Sequence, residues 1–566
     1  MLNRRDVIRI LSTLPLGGFI AGGLTGNRSA SAGMTESFQP PENRTAGLSG
    51  AAAPGDGVNT VAASSKTGSA ARSAGESIYA SVGTRPLINA RGTVTIVGAT
   101  RVLPEVQQAM DEAVNHYVQL DELMEGVGHR LGEITGTEWG IVTSGASSAI
   151  TVGTAGCVTG GDPDRIWQLP DLTGLKDEVI IPTYSRSAYD AAAKAVGVRM
   201  IPVSTVEELE EAIGPRTAMI MVLASGRSEN GPLSLREISE RARPRGIPVL
   251  VDAAAEELFL PNPHIEQGAD LVAYSGGKCL RGPQCAGLLI GRKDLVQASW
   301  LCSAPHHGFG RGLKVGREEI MGMLAATEMW FRRDHKQELV TWNGWLDQIE
   351  QRLAPVDGVT MTRREPRGRG NRFPGLTVEW DMEQIPLTGH EVEELLWDHN
   401  PRIAVSGAGS FLPFPPNMRP TISINPSQLD EWEVPIIAEG VYHVLSDPPP
   451  INRPSGRPNA DVTGQWDLEM TFAAGSANQS FVFAQQGSDL MGTHSASFAT
   501  RDLGGTLHGD QILIRSSYTG EGVRLNYEFH GTVAGDEMSG EVSMGEYGMA
   551  EWRATRQNHN PPGRRG

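Results

Sequence analysis

Three short stretches carry residue types that could do chemistry together. Ser275-Gly276-Gly277-Lys278 sets an amine among small residues just past the apolar run 271–274. A lysine there is not needed for solubility, and it would face the crevice where open α/β sheets bind ligands. Asp252 ends the apolar run 249–251, although the Ala-Ala-Ala-Glu-Glu run after it could instead be a helix that this carboxylate caps. Thr143-Ser144-Gly145-Ala146-Ser147-Ser148 marks where a strand stops and an apolar helix begins. The free N–H groups and dipole of such a helix start favour an anion, while Gly/Ser turns also occur without any ligand.

Other polar residues leave alternatives open. Arg281, Arg311 and Lys314 could hold a carboxylate or phosphate, or be surface charges. His306-His307 lies in a Gly-rich segment and could donate protons or simply be solvated. Tyr184, Arg186 and Tyr189 follow a strand and could approach the same crevice. The cysteines are Cys157, Cys279, Cys285 and Cys302, and their spacing suggests no metal site. Cys279 reads as a buried thiol, whereas Cys285 and Cys302 could pair under oxidising conditions.

To position these groups the chain must build a sheet. The runs 140–143, 179–181, 218–223, 248–252, 271–274 and 288–290 read as buried strands, with helical spacing at 188–196, 206–213 and 235–243. Continuous apolar strands alternating with helices predict a mostly parallel sheet covered on both faces. The expected large α/β domain is 78–330. One long helix, 318–353, should lead into a smaller α+β domain, 331–446. A Pro-rich linker, 447–459, follows. Over 460–557, period-two apolar runs punctuated by glycines predict an antiparallel β-barrel. Its start, Val462-Thr463-Gly464-Gln465-Trp466, is similar to that of lipocalin-type barrels, and it reads as an accessory domain without inferred chemistry.

The front of the chain reads as an address. Asn3-Arg4-Arg5-Asp6-Val7-Ile8-Arg9 resembles the twin-arginine export motif, and Ala30-Ser31-Ala32 supplies a small-residue cleavage pattern. The apolar part of 1–32 is too short and too glycine-rich to span a bilayer, so a periplasmic or exported protein with no remaining anchor is expected. The Ala/Gly/Ser-rich stretch 33–77 reads as a flexible linker. With 39% hydrophobic and 20% charged residues, the 566-residue chain can bury sizeable cores. Its net charge of −17, or −20 once four arginines and one aspartate leave with 1–32, argues against a nucleic-acid surface. Four cysteines exclude a disulfide scaffold.

An anion loop, then Asp252, then Ser-x-x-Lys with Lys278 26 positions later, meets the needs of pyridoxal phosphate: an amine, an anion cup and an acid for its ring nitrogen. Across about 80–450 the chain resembles the fold-type I pyridoxal-phosphate enzymes. Within them it is similar to the selenocysteine synthase-like group, which includes D-glucosaminate-6-phosphate ammonia-lyase. The matching stretches include Arg85-Pro86-Leu87-Ile88-Asn89-Ala90-Arg91-Gly92-Thr93-Val94, Leu131-Gly132-Glu133-Ile134-Thr135-Gly136, Val251-Asp252-Ala253-Ala254-Ala255-Glu256 and Leu313-Lys314-Val315-Gly316-Arg317-Glu318-Glu319-Ile320.

The resemblance implies that Lys278 is the Schiff-base lysine and the proton shuttle at the substrate Cα. It gives Asp252 to the ring nitrogen, and Ser144, Gly145, Ala146, Ser147 and Ser275 to the phosphate. Ala254 would lie on the ring face. It further implies a homodimer or larger homo-oligomer and a lyase acting on an amino acid or amino sugar acid. A selenium transferase acting on seryl-tRNA, a racemase or an aldolase are the alternatives on the same cofactor, the first opposed by charge and export signal. A binding protein that uses only the barrel is the non-enzyme reading.

Overall fold

After a short strand β1 (Leu87–Asn89), the apolar runs become strands where the sequence is hydrophobic on both faces. They are β2 (Trp139–Thr143), β3 (Glu178–Pro182), β4 (Arg199–Val203), β5 (Thr217–Leu223), β6 (Val249–Asp252), β7 (Leu271–Ser275) and β8 (Gly287–Gly291). The computed structural model describes residues 78–408, 419–520 and 522–557. The export signal and the 33–77 linker lie outside the described residues. The chain divides into a unit Met1–Thr84, in which a 3-10 turn Ala80–Val82 is described, and a unit Arg85–Gly566.

Among the described residues the longer unit holds three large hydrophobic cores and a small cluster of Leu103, Val106 and Ala326. The first surrounds a seven-stranded sheet of order β2-β8-β7-β6-β5-β3-β4. Neighbours are parallel except β8, which runs antiparallel to both β2 and β7. Two antiparallel steps leave β2 parallel to β7, so β2, β6 and β7 all end at one edge of the sheet. The strand not anticipated, β4, is the edge strand, half exposed and lacking a long apolar run.

The predicted single helix over 318–353 is two helices, Arg317–Trp330 and His335–Leu353. Its apolar periodicity continues across the break, but Asp334 accepts from Gln337 N at 3.0 Å and starts a new helix. The second helix packs on an antiparallel sheet formed by β9 (Val359–Arg364), β10 (Gly375–Trp380), β12 (Ser406–Ala408) and β13 (Thr421–Ile424) in the order β12-β13-β10-β9. Strand β11 (Arg402–Ala404) lies apart, parallel to β1. Ile88 therefore packs with Leu346, Val378, Trp380 and Ile403 in the small domain's core, although it lies within 78–330, the stretch expected to form the large domain.

The segment 447–459 is irregular, yet Arg453 pins it by donating to the Glu391 carboxylate (2.6 and 3.1 Å) and the Pro386 carbonyl (2.9 Å). The last third closes into an eight-stranded antiparallel barrel: β14 (Gly464–Phe472), β15 (Gly475–Gln486), β16 (Asp489–Ser495), β17 (Thr500–His508), β18 (Gln511–Gly520), β19 (Val523–Ala534), β20 (Glu537–Ser543) and β21 (Met549–Arg556). Alternate residues point inward, and Trp466, Phe481, Phe529 and Trp552 fill the interior. Among the described residues no helix is long and apolar enough to cross a membrane.

Candidate active site

The topology brings the three sequence motifs to one sheet edge. Asp252 is the last residue of β6, Lys278 follows β7 by three positions, and Ser144 follows β2 and precedes the helix Gly145–Thr159. Strand β8 lies between β2 and β7, so that Gly287 pairs with both Thr143 and Ser275. A Cβ at Gly287 would meet Gly145 C at 2.6 Å, Ala146 N at 2.7 Å and Tyr274 O at 2.7 Å. Only glycine lets the helix start sit this close to the lysine strand.

Asp252 does not cap a helix, because the residues after it form turns. One of its oxygens accepts the Ala254 N–H at 3.1 Å. The carboxylate forms no other hydrogen bond and no ion pair with the described residues, although it is 2% exposed. Burial raises its pKa above the usual carboxylate range, while the Lys278 charge opposes that shift. Lys278 is half-buried and makes no hydrogen bond or ion pair with the described residues. Burial lowers its pKa, against the pull of Asp252. An acid and an amine thus face each other's charge without closing an ion pair.

At the start of the helix Gly145–Thr159, Ser144 makes no side-chain cap, and the first-turn N–H groups lack intrahelical acceptors. Gly145 adopts φ 87°, and Ser147 is exposed. The buried Ser148 hydroxyl has no partner. Ser275 and Ala254 are half-buried beside Lys278 and Asp252 in sequence. These unspent donors suit a phosphate.

The loop carrying Lys278 is braced from behind. Arg333, in the break between the two helices, donates to the Cys279 carbonyl at 2.9 Å and to both oxygens of Glu338 at 2.8 and 2.9 Å. Against the effect of its burial, the hydrogen bonds from His335 and then Arg333 hold the Glu338 carboxyl down at about 2. Cys279 Sγ donates to the Glu256 carbonyl at 3.2 Å, and the Glu256 carboxylate contacts buried His264 at 2.6 Å. All four cysteines are free, with Cys285 exposed and Cys302 buried against Thr159.

The tentative substrate residues separate. Arg281 is half-buried, adopts φ 54° and donates Nε to the Arg101 carbonyl at 3.2 Å. Arg311 and Lys314 are exposed and unpaired among the described residues, and so is His307. His306 serves a structural contact, with Nδ1 3.2 Å from the Trp300 and Ser303 carbonyls and Nε2 3.2 Å from Asp121. Tyr184 donates to the Leu233 carbonyl at 2.6 Å, and burial pushes its phenol up to about 12. Arg186 pairs with Asp190, and Tyr189 is exposed.

Sequence reasoning passed over a small-domain loop that reaches this edge. Glu257 N donates to Arg369 O at 3.1 Å and Asn371 N to Ala255 O at 2.8 Å, which zips the loop onto the segment after Asp252. Arg369 Nη1 and Arg372 Nε are buried without partners. The Arg-Gly-Arg-Gly-Asn-Arg run 367–372 was the available signal.

Residues 177–306 match the Aminotransferase class-V family. The D-glucosaminate-6-phosphate ammonia lyase of Salmonella typhimurium (strain 14028s / SGSC 2262) is 30% identical over 329 residues, 56% of this chain and 86% of that protein. A 5'-C-glycyluridine monooxygenase-decarboxylase from a Streptomyces species is 30% identical over 314 residues, 53% of this chain and 77% of that one. An L-seryl-tRNA(Sec) selenium transferase of Moorella thermoacetica is 27% identical over 281 residues, 44% of this chain and 56% of that one. Among solved structures, a D-glucosaminate-6-phosphate ammonia-lyase superposes with TM-score 0.58 at 27% identity, covering 66% of this chain and all of that chain.

Proposed function

This chain belongs to the family of the D-glucosaminate-6-phosphate ammonia lyase, and from that premise we propose a pyridoxal-phosphate-dependent lyase that expels a β-substituent or ammonia from an amino acid or amino sugar acid. The observation that carries the reading is the placement of Lys278 and Asp252 at one sheet edge, neither closed into an ion pair. When bound, the cofactor supplies an electron sink for the bond broken at the substrate Cα.

The chain's own groups divide the work. The N–H groups at 145–147, with the Ser144, Ser147 and Ser275 hydroxyls, would hold the phosphate. Asp252 would keep a proton on the ring nitrogen, and Ala254 would border the ring. Lys278 would bond the aldehyde, and its lowered pKa leaves a larger neutral fraction able to take the Cα proton. Arg369, with one unspent Nη, and Arg281 would orient an anionic group on the substrate.

A small molecule is favoured over seryl-tRNA. The chain spans 56% of the selenium transferase's length and carries −17 net charge, which repels a polyanion. A homodimer is part of the proposal, supported by exposed Val94, Ile96, Val114, Tyr117 and Val118. Light scattering should give at least twice the chain mass, and a monomer would remove this part. Export by the twin-arginine route completes the proposal, tested by N-terminal sequencing of periplasmic protein.

The deciding experiment is borohydride reduction of cofactor-saturated protein followed by peptide mass mapping. The cofactor should map to Lys278, and labelling elsewhere refutes the assignment. Amino acids and amino sugar acids are then screened for ammonia and keto-product release; carbon dioxide release in its place would refute the lyase reading.

A further inference from the structure

Among the described residues, the Asp, Glu and Arg residues buried as a whole are Asp190, Asp252, Glu256, Glu433 and Arg501. Asp190 pairs with Arg186, Glu256 with His264 and Glu433 with Arg101. Asp252 faces the lysine site. Arg501, 3% exposed inside the C-terminal barrel, has no carboxylate within ion-pair distance among the described residues. Its Nε is buried with no hydrogen-bond partner at all.

Arg501 lies one residue inside β17, directly across from His494 on β16. Its Nη1 is 3.5 Å from His494 Nδ1, and its guanidinium carbon lies 4.7 Å from the centre of the Tyr527 ring. His494 cannot serve as a counter-charge. Its Nε2–H donates to Gln479 Oε1 at 2.5 Å, and its Nδ1 accepts from Ser516 at 2.7 Å, so both ring nitrogens are engaged in the neutral form. Burial and the Arg501 charge hold its pKa down at about 3.

A lone buried guanidinium is costly unless something compensates it. The two ends of the barrel differ accordingly. One end is apolar and stoppered by Trp466, whose Nε1 donates to the Val462 carbonyl at 2.9 Å. The hairpin 495–500 borders the other end. There Phe498 is 60% exposed and packs edge-on against Tyr518.

We propose that this end of the barrel is a binding site for a small organic monocarboxylate. The carboxylate meets the free edge of the Arg501 guanidinium, and the apolar body lies along Tyr527 toward Phe498. The planar guanidinium fork matches a carboxylate. A single guanidinium fork carries one positive charge, which suits a monoanion better than a phosphate or other multiply charged anion. The site rests on Arg501 and is independent of the lysine chemistry.

The test uses the full-length cofactor-loaded protein and octanoate as probe, with 1-octanol and inorganic phosphate as the arms lacking charge or apolar body. Calorimetry should show saturable octanoate binding, with 1-octanol and phosphate at least tenfold weaker, and octanoate should raise the melting temperature. Arg501→Met should weaken octanoate at least tenfold and, without ligand, melt no lower than wild type. Arg501→Lys should bind octanoate more weakly than wild type. Absence of saturable octanoate binding by wild type overturns the proposal whatever the variants do. So does equal binding by Arg501→Met, or a lower melting temperature of the unliganded variant, which would make Arg501 a structural cation over Tyr527.

Discussion

A single methyl group on Gly287 tests whether strand register builds the phosphate cup. Gly287 lies between Thr143 and Ser275, and a Cβ there would stand 2.6 Å from Gly145 C and 2.7 Å from Ala146 N. Ordinary contact begins near 3.4 Å, so the helix start must retreat by about 0.8 Å from β8. The obstructing atoms are backbone, and no side chain can rotate away. Overpacking of this kind costs about 1–3 kcal/mol, and a shift approaching 1 Å in a positioning element can cost roughly 10²-fold in function. Gly287→Ala should therefore weaken pyridoxal phosphate affinity at least tenfold and lower the melting temperature by a few degrees. Gly504→Ala in the barrel is the control, since the nearest atom to its added methyl is 3.9 Å away. Fluorescence titration with the cofactor and thermal denaturation give both numbers. A Gly287→Ala affinity within twofold of wild type would refute the idea that this close approach shapes the cup.

Asp252→Asn keeps an acceptor for the Ala254 N–H but removes a buried charge. The cofactor-free protein should melt no lower than wild type, while turnover falls by roughly 10² or more, about 3 kcal/mol; turnover within threefold would count against the ring-nitrogen role. Arg333→Met breaks three hydrogen bonds of a half-buried cation and should cost about 3 kcal/mol at pH 7. Because the Glu338 pKa is lowered from 4.5 to about 2, the stability it contributes is full above pH 4.5 and lost as pH falls toward 2. The gap between wild type and Arg333→Met in urea denaturation should narrow across that window, and a constant gap would argue against the coupling. His494 has a folded pKa near 3 against 6.5 unfolded, so the unfolded chain binds the extra proton and stability falls as pH drops below 6.5. The loss should be about 2 kcal/mol by pH 5. Denaturant titration should find it absent in His494→Gln, and an equal loss in both proteins would rule out His494 as the cause.

What the sequence made legible were groups whose position follows from local rules. Asp252 ends and Lys278 closely follows strands that run the same way, and parallel strands present their carboxyl ends at one edge, so chain order alone predicted their meeting. The barrel was readable because Trp466, Leu468 and Met470 alternate with charged residues. Features set by non-local contacts stayed hidden. Gly287 matters only because β8 inserts antiparallel between two parallel strands, which no local pattern announces. Arg333 was masked by apolar periodicity running through both helices, although Asp334 with Gln337 three residues on was a capping signal in plain view. The Arg369 loop acts by crossing from the small domain to the segment after Asp252, which requires the tertiary fold. Strand β1 joins the small domain's core for the same reason.

The way this chain handles buried charge separates folding from function. Where a buried acid serves the architecture, evolution has supplied its counterpart: Glu256 has His264, Asp190 has Arg186 and Glu433 has Arg101. A buried charge without a counterpart raises the free energy of the empty protein, and selection for stability alone would have paired it or replaced it with an apolar residue. Asp252 and Arg501 persist in that state, one at the sheet edge and one in the barrel mouth. On the readings proposed above, a protonated ring nitrogen would meet the first and a carboxylate the second. Both expectations share a thermodynamic signature, in which removing the charge leaves the empty protein no less stable and weakens the liganded one. A variant at either position that destabilised the empty protein would show that the charge serves the fold.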